Sequence, residues 1–71
     1  MEWPRLLDSK LQGTVLAYAE CGMRVETAAR KLGVSGTTVA DRLLRVQIVT
    51  GRDPRDFWDL AYLVGLRRKE E

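Results

Sequence analysis

VETAARKLGVSGTTVADRLLRV, from Val25 to Val46, is two short helical runs hinged at Gly33-Val34-Ser35. Alanines stand where the two helices must touch, and aliphatic residues stand on their inner faces. Ala28, Ala29 and Leu32 form the inner face of the first run, which the pattern places at about Glu26 to Leu32. Small side chains there let the next helix cross closely and steeply. Gly33 permits the positive φ of the turn, and Val34 plugs the core from within it. This is the layout of a helix-turn-helix, in which the second helix enters the major groove of DNA.

Ser35 is a good N-cap for the second run, which extends to about Thr50 and stops at Gly51. With Val39 at zero degrees and about 100 degrees per residue, Leu43, Val46 and Thr50 fall within about 40 degrees of it. They form the expected buried stripe. The opposite face carries Thr37, Ala40, Asp41, Leu44, Arg45 and Ile48. Its N-terminal part is small and polar, as a groove-reading surface requires. Its C-terminal part, Leu44 and Ile48, is apolar and predicts packing on a fourth helix or on a second copy of the chain.

The flanks predict two further helices. One runs from about Asp8 to Cys21, capped by Asp8 or Ser9, with Leu11, Val15, Tyr18 and Ala19 on one stripe and Gly22 at the left-handed end position. Gly13 weakens it slightly. Residues 1–7, with Trp3 and Leu6 or Leu7 as apolar anchors, are either a short helical turn or a linker remnant. The last helix is expected to begin at Asp53-Pro54, with Asp53 as cap and Pro54 in the first position. Asp56 suits its positive end. Phe57, Leu60, Ala61 and Val64 form its inner stripe, flanked by Trp58 and Tyr62 as core or interface aromatics. The tail Arg67-Arg68-Lys69-Glu70-Glu71 is either a phosphate clamp or a solubilising end. The reading is an all-α, small helix-turn-helix bundle of about four helices. It spans residues 1–71 as a single domain, with a core at 25–51 and a C-terminal helix at 53–69.

Composition is consistent with this and closes off other classes. Seventy-one residues with 45% hydrophobic content suit one small packed domain. No apolar run is long enough to span a membrane, and the N-terminus lacks the apolar region of a secretory signal. A cytoplasmic protein is the expectation. There is no His and a single Cys, Cys21, so disulfide pairing within the chain, His- or Cys-pair zinc sites and His-dependent catalytic dyads are excluded. Cys21 reads as a small apolar residue near a helix end. No Gly-rich phosphate loop or plausible carboxylate pair is present, so no enzyme, cofactor, metal or small-molecule ligand is expected. The net charge of +2 is unevenly spread. Residues 24–52 hold six basic and two acidic groups, net +4, while each flank is net −1. The positive charge is concentrated in the segment that would face phosphate.

From Leu11 to about Val64 the chain resembles the C-terminal helix-turn-helix domain of PucR/CdaR-type bacterial transcription regulators. The matching residues are Leu16-Ala17-Tyr18, Gly22, Ala29-Arg30, Leu32, Val34, Thr38, Arg42-Leu43, Arg45, Thr50-Gly51 and Asp53-Pro54. The tract from Arg42 to Gly51 followed by Asp-Pro is more specific than a generic helix-turn-helix. The family's His-Arg-Asn-Thr at the start of the third helix is Ser35-Gly36-Thr37-Thr38 here, and the Arg-Tyr after the next residue is Ala40-Asp41. Two basic groups and an aromatic are replaced and an acid is introduced, so the family's sequence preference does not carry over. The resemblance implies a large N-terminal sensor region in typical members. This chain is therefore expected to be an excised domain or a short stand-alone relative.

The expected function is sequence-specific binding of double-stranded DNA as part of a bacterial transcriptional regulator. The alternative is a helical protein–protein module that keeps the scaffold without DNA binding, a reading favoured by Gly36 and Asp41. For DNA, Thr37 and Thr38 are candidates for base-edge contact and Ala40 for a thymine methyl. Asp41 would accept from cytosine N4 or pair with Arg42 or Arg45. Ser35, Arg42 and Arg45 would contact phosphates or base edges, Gly36 completes the helix surface, and Arg30 and Lys31 would hold flanking backbone. Thr38 could instead cap the helix, and Arg42 could lay its stem over the core. Leu44, Ile48, Trp58 and Tyr62 are the candidate surface of a homodimer that would supply a second half-site.

Overall fold

The computed structural model describes residues 7–69, with side chains described through residue 65. The expectations for Trp3 and Leu6, and for the charged side chains of residues 67–71, lie outside what is described. Four helices follow in order: α1 (Ser9–Glu20), α2 (Val25–Leu32), α3 (Gly36–Thr50) and α4 (Phe57–Lys69). The fold is all-α, as the periodicity predicts.

Helix α1 is capped by Asp8, whose Oδ1 accepts from the Leu11 N–H at 2.8 Å. At its other end Gly22 has φ 67° and Met23 has φ 63°. The Met23 N–H reaches back to the Tyr18 carbonyl at 2.8 Å, and the Gly22 N–H to that of Ala19 at 3.3 Å. This pair of bonds satisfies carbonyls the helix leaves open. Met23 adopts a left-handed backbone that costs a non-glycine residue about 1 kcal/mol or more, and nothing in the local sequence announces it. Helix α2 ends the same way at Gly33, φ 72°, with the Val34 N–H bonded to the Ala29 carbonyl at 3.0 Å.

Helices α1, α2 and α3 pack on one another pairwise, and α4 packs on α1. The expected stripe of α3 is buried: Val39, Leu43 and Val46 are fully enclosed and Thr50 nearly so. From α1 come Leu11, Val15, Ala17 and Tyr18, and from α2 come Ala28 and Ala29, with Leu32 and Val34 packed against them. Leu7, just ahead of α1, is also buried, and its carbonyl accepts from the Gln12 side-chain amide at 2.7 Å.

The start and register of α4 differ from the expectation. Residues 53–56 form a turn rather than the first helical turn. The Asp53 carboxylate accepts from the Arg55 N–H at 3.0 Å, and the Asp56 N–H bonds to the Asp53 carbonyl at 2.9 Å. Aspartate competes for nearby backbone donors in this way wherever a turn is available. Pro54 is buried within the turn. Helical bonding begins one step later, where the Asp56 carbonyl accepts from Leu60 N–H at 2.8 Å. The inner face is then Leu60 and Leu63, at 4% and 0% exposure, with Val64 beside them. Phe57 is 59% exposed and Ala61 is exposed, so the expected stripe through these two is incorrect. Trp58 and Tyr62 point away from α1, at 75% and 42% exposure, which rules out their reading as core residues. Arg52 ties the turn to the outer face of α4. Its guanidinium lies 3.9 Å from the Tyr62 ring centroid and 3.4 Å from Asp59 Oδ1. Because α4 lies on α1, it does not cover Leu44 or Ile48, which stay 47% and 73% exposed. Of the two expected coverings, packing on the fourth helix is therefore overturned.

Two stability outcomes follow from the core. Leu43→Ala, at 0% exposure between three helices, is expected to cost about 2–5 kcal/mol in urea unfolding. Burial raises the Tyr18 phenol above its ordinary value, opposed by the nearby Arg55 charge and reinforced by Asp53. A raised acid favours the folded state below its unfolded-state value, about 10, and that contribution is lost as pH climbs through the folded value. The unfolding midpoint should hold to about pH 9 and fall above about pH 10, and Tyr18→Phe should flatten that fall.

Candidate nucleic-acid interface

The turn between α2 and α3 fixes where α3 begins. Ser35 is extended, at φ −80° and ψ 160°, and its Oγ accepts from the Thr38 N–H at 3.1 Å. The Thr38 hydroxyl is 3.0 Å from the same Oγ. Both side chains therefore secure the first turn of α3, and Thr38 is engaged there as a cap partner. Gly36, the first residue of α3, sits over the start of α2, where an added Cβ would lie 3.6 Å from a Val25 methyl. That is ordinary contact distance, so the site does not require glycine.

Beyond the cap, Thr37, Asp41 and Arg45 are exposed on the outer face of α3, and Ala40 is half-buried beside them. These are the residues the structure brings together as a polar surface on one helix, with Ser35 at its edge. Among the described residues, Asp41 makes no ion pair with Arg42 or Arg45. Arg42 is half-buried and turned toward α1, where its Nη1 donates to Thr14 Oγ1 at 3.4 Å. With Asp41 and Arg45 it also lines one groove between α3 and the start of α1. Arg30 is exposed on α2 beside a shallow groove shared with Glu26, Ala29, Val34 and Gly36. Lys31 points the other way and pairs with Glu20 of α1 at 3.2 Å, an exposed pair worth about 0–1 kcal/mol.

The apolar end of α3 opens onto a groove shared with the start of α1, where Leu11, Leu44, Ile48 and Val49 are bordered by the charged Asp8, Lys10, Asp41, Arg42 and Arg45. Val49, at 41% exposure, was not among the residues expected there. It stands about 80 degrees off the buried stripe, and a helical plot alone leaves such a position open. Trp58 lies on α4 and stacks edge-on with Phe57, centroids 5.0 Å apart. Thr14 was also missed. Its only signal is a polar residue three places after Leu11 on a face that is otherwise apolar.

A close-packed pair of helices, a glycine-ended turn, and a second helix presenting a polar N-terminal face define a helix-turn-helix domain. The chain belongs to the family described as the PucR C-terminal helix-turn-helix domain, whose model matches residues 11–65. Uncharacterized proteins of Mycobacterium tuberculosis (strain ATCC 25618 / H37Rv) and Mycobacterium bovis are each 51% identical to it over 41 residues, covering 58% of this chain. The chain spans about a tenth of the length of these curated relatives. No solved structure matches it. Among the described residues no helix is long and apolar enough to cross a membrane.

Ser35→Ala removes the oxygen that caps α3. The expected loss is about 1 kcal/mol of stability, read as a lower unfolding midpoint, with fraying of the first α3 turn visible in amide hydrogen exchange.

Proposed function

We propose that the domain binds double-stranded DNA sequence-specifically, as the DNA-binding part of a bacterial cytoplasmic transcriptional regulator, and that it carries no catalysis. The observation that carries this reading is the outer face of α3. Thr37, Asp41 and Arg45 are exposed there on a helix whose opposite side is buried to 0% at Val39, Leu43 and Val46. A rigidly seated helix with a short polar edge suits the major groove. In this reading Thr37 and Ser35 approach base edges or phosphate, Ala40 meets a thymine methyl, and Asp41 accepts from a cytosine amino group. Arg45 and Arg30 neutralise phosphate on either side. Family membership supports the same class of role. One domain of this size reads a short half-site, so a second copy would supply the other half. Leu44 and Ile48, both exposed, are the proposed contact.

Fluorescence anisotropy of a random-sequence duplex across a salt series tests the reading. Affinity should fall steeply with log salt, with a slope corresponding to roughly three or more phosphates. Arg45→Gln should lower that slope by about one. Absence of binding at about 50 mM salt would sink the proposal. Capture of a protein partner with little salt dependence would instead favour a protein–protein module.

A further inference from the structure

Arg42 lines the same groove as Arg45 but differs from it in being bonded to a buried side chain of another helix. It lies about 60 degrees from Val39 in the buried stripe of α3, whereas Arg45 lies about 120 degrees away. Its guanidinium bonds to Thr14 of α1, 28 residues earlier in the chain. Thr14 is fully buried. Its hydroxyl donates its one proton to the Lys10 carbonyl at 2.7 Å, so the lone pairs left on Oγ1 can only accept. A buried acceptor without a donor is costly, and Arg42 supplies that donor from the neighbouring helix. The apolar contacts between α1 and α3 are non-directional and tolerate small rotations and slides. A hydrogen bond to a single buried oxygen, here 3.4 Å long, is directional and favours one setting over its neighbours.

We propose that Arg42 is a positioning residue: through Thr14 it sets how α3 lies on α1, and thereby how Ser35, Thr37 and Arg45 meet the duplex. This rests on the DNA-binding reading above. It places Arg42 in a supporting role, where the sequence suggested a direct phosphate or base contact.

The test uses the full 71-residue chain with Thr14→Val, Thr14→Ser, Arg42→Met and the Thr14→Val/Arg42→Met double variant. Duplex affinity and its salt slope are measured at a temperature where circular dichroism shows every variant folded. Thr14→Val removes the oxygen at nearly constant volume, Thr14→Ser retains it, and Arg42→Met keeps an apolar stem. Expected are a loss of about fivefold for Thr14→Val and for Arg42→Met, and no further loss in the double variant. The salt slope should stay unchanged, and Thr14→Ser should bind nearly as the parent does. A slope lowered by about one in Arg42→Met, with Thr14→Val binding normally, would show that Arg42 touches phosphate and overturn the proposal. Single variants that melt earlier but bind as the parent does would reduce the link to a stabilising one and overturn it equally. If the unsubstituted chain itself fails to bind, the DNA-binding reading falls first and the positioning role with it, an outcome visible before any variant is compared.

Discussion

The close seating of α2 against its neighbours is the constraint on which the rest of the structure depends. Ala28 and Ala29 are 0% and 5% exposed on a helix of eight residues. Their missing bulk allows α1 and α3 to converge over α2 and lets Val39 and Leu43 close completely. A larger side chain at either position would overpack the junction by about 1–3 kcal/mol and tilt α3 outward. Because the polar edge of α3 faces away from this junction, any tilt there moves that whole edge. Gly33 serves the same end, reversing the chain in a left-handed conformation at φ 72° so that α3 can start at once.

Tertiary contacts redistribute the positive charge of the central segment. By sequence it forms one basic block. In the fold, Lys31 faces Glu20 and Arg42 faces Thr14, while Arg52 is shared between Asp59 and the Tyr62 ring. Arg30 and Arg45 pair with no other described residue by ion pair or side-chain hydrogen bond, and both are exposed. The block is thus divided into cations that hold helices together and cations left facing solvent. A formal charge sum cannot tell these groups apart, and only the second bears directly on phosphate affinity.

The legible parts of the fold were those governed by local rules. The Ser35 cap, the glycine ends at Gly22, Gly33 and Gly51, and the four-position stripe of α3 each depend on backbone geometry within a turn or two. The fourth helix departs from the local rules for a physical reason. Asp53-Pro54 satisfies the rules for a helix start, yet Asp53 gives its carboxylate to Arg55 in a tight turn, and Asp56 begins the helix instead. That delay, and docking chiefly on α1, made Leu63 a core residue and left Phe57 in solvent. The polar surface of α3 was legible as a set of positions, but the separate placements of Thr38 and Arg42 were not.

The sequence by itself determined the helical class, the helix-turn-helix spacing and the face that α3 buries, because periodicity and capping act over a few residues. The tertiary structure decided which helix α4 covers, why Leu44, Ile48 and Val49 remain open, and which arginines reach solvent. Those outcomes turn on contacts between residues far apart in the chain, such as Thr14 with Arg42, whose partners no local pattern names.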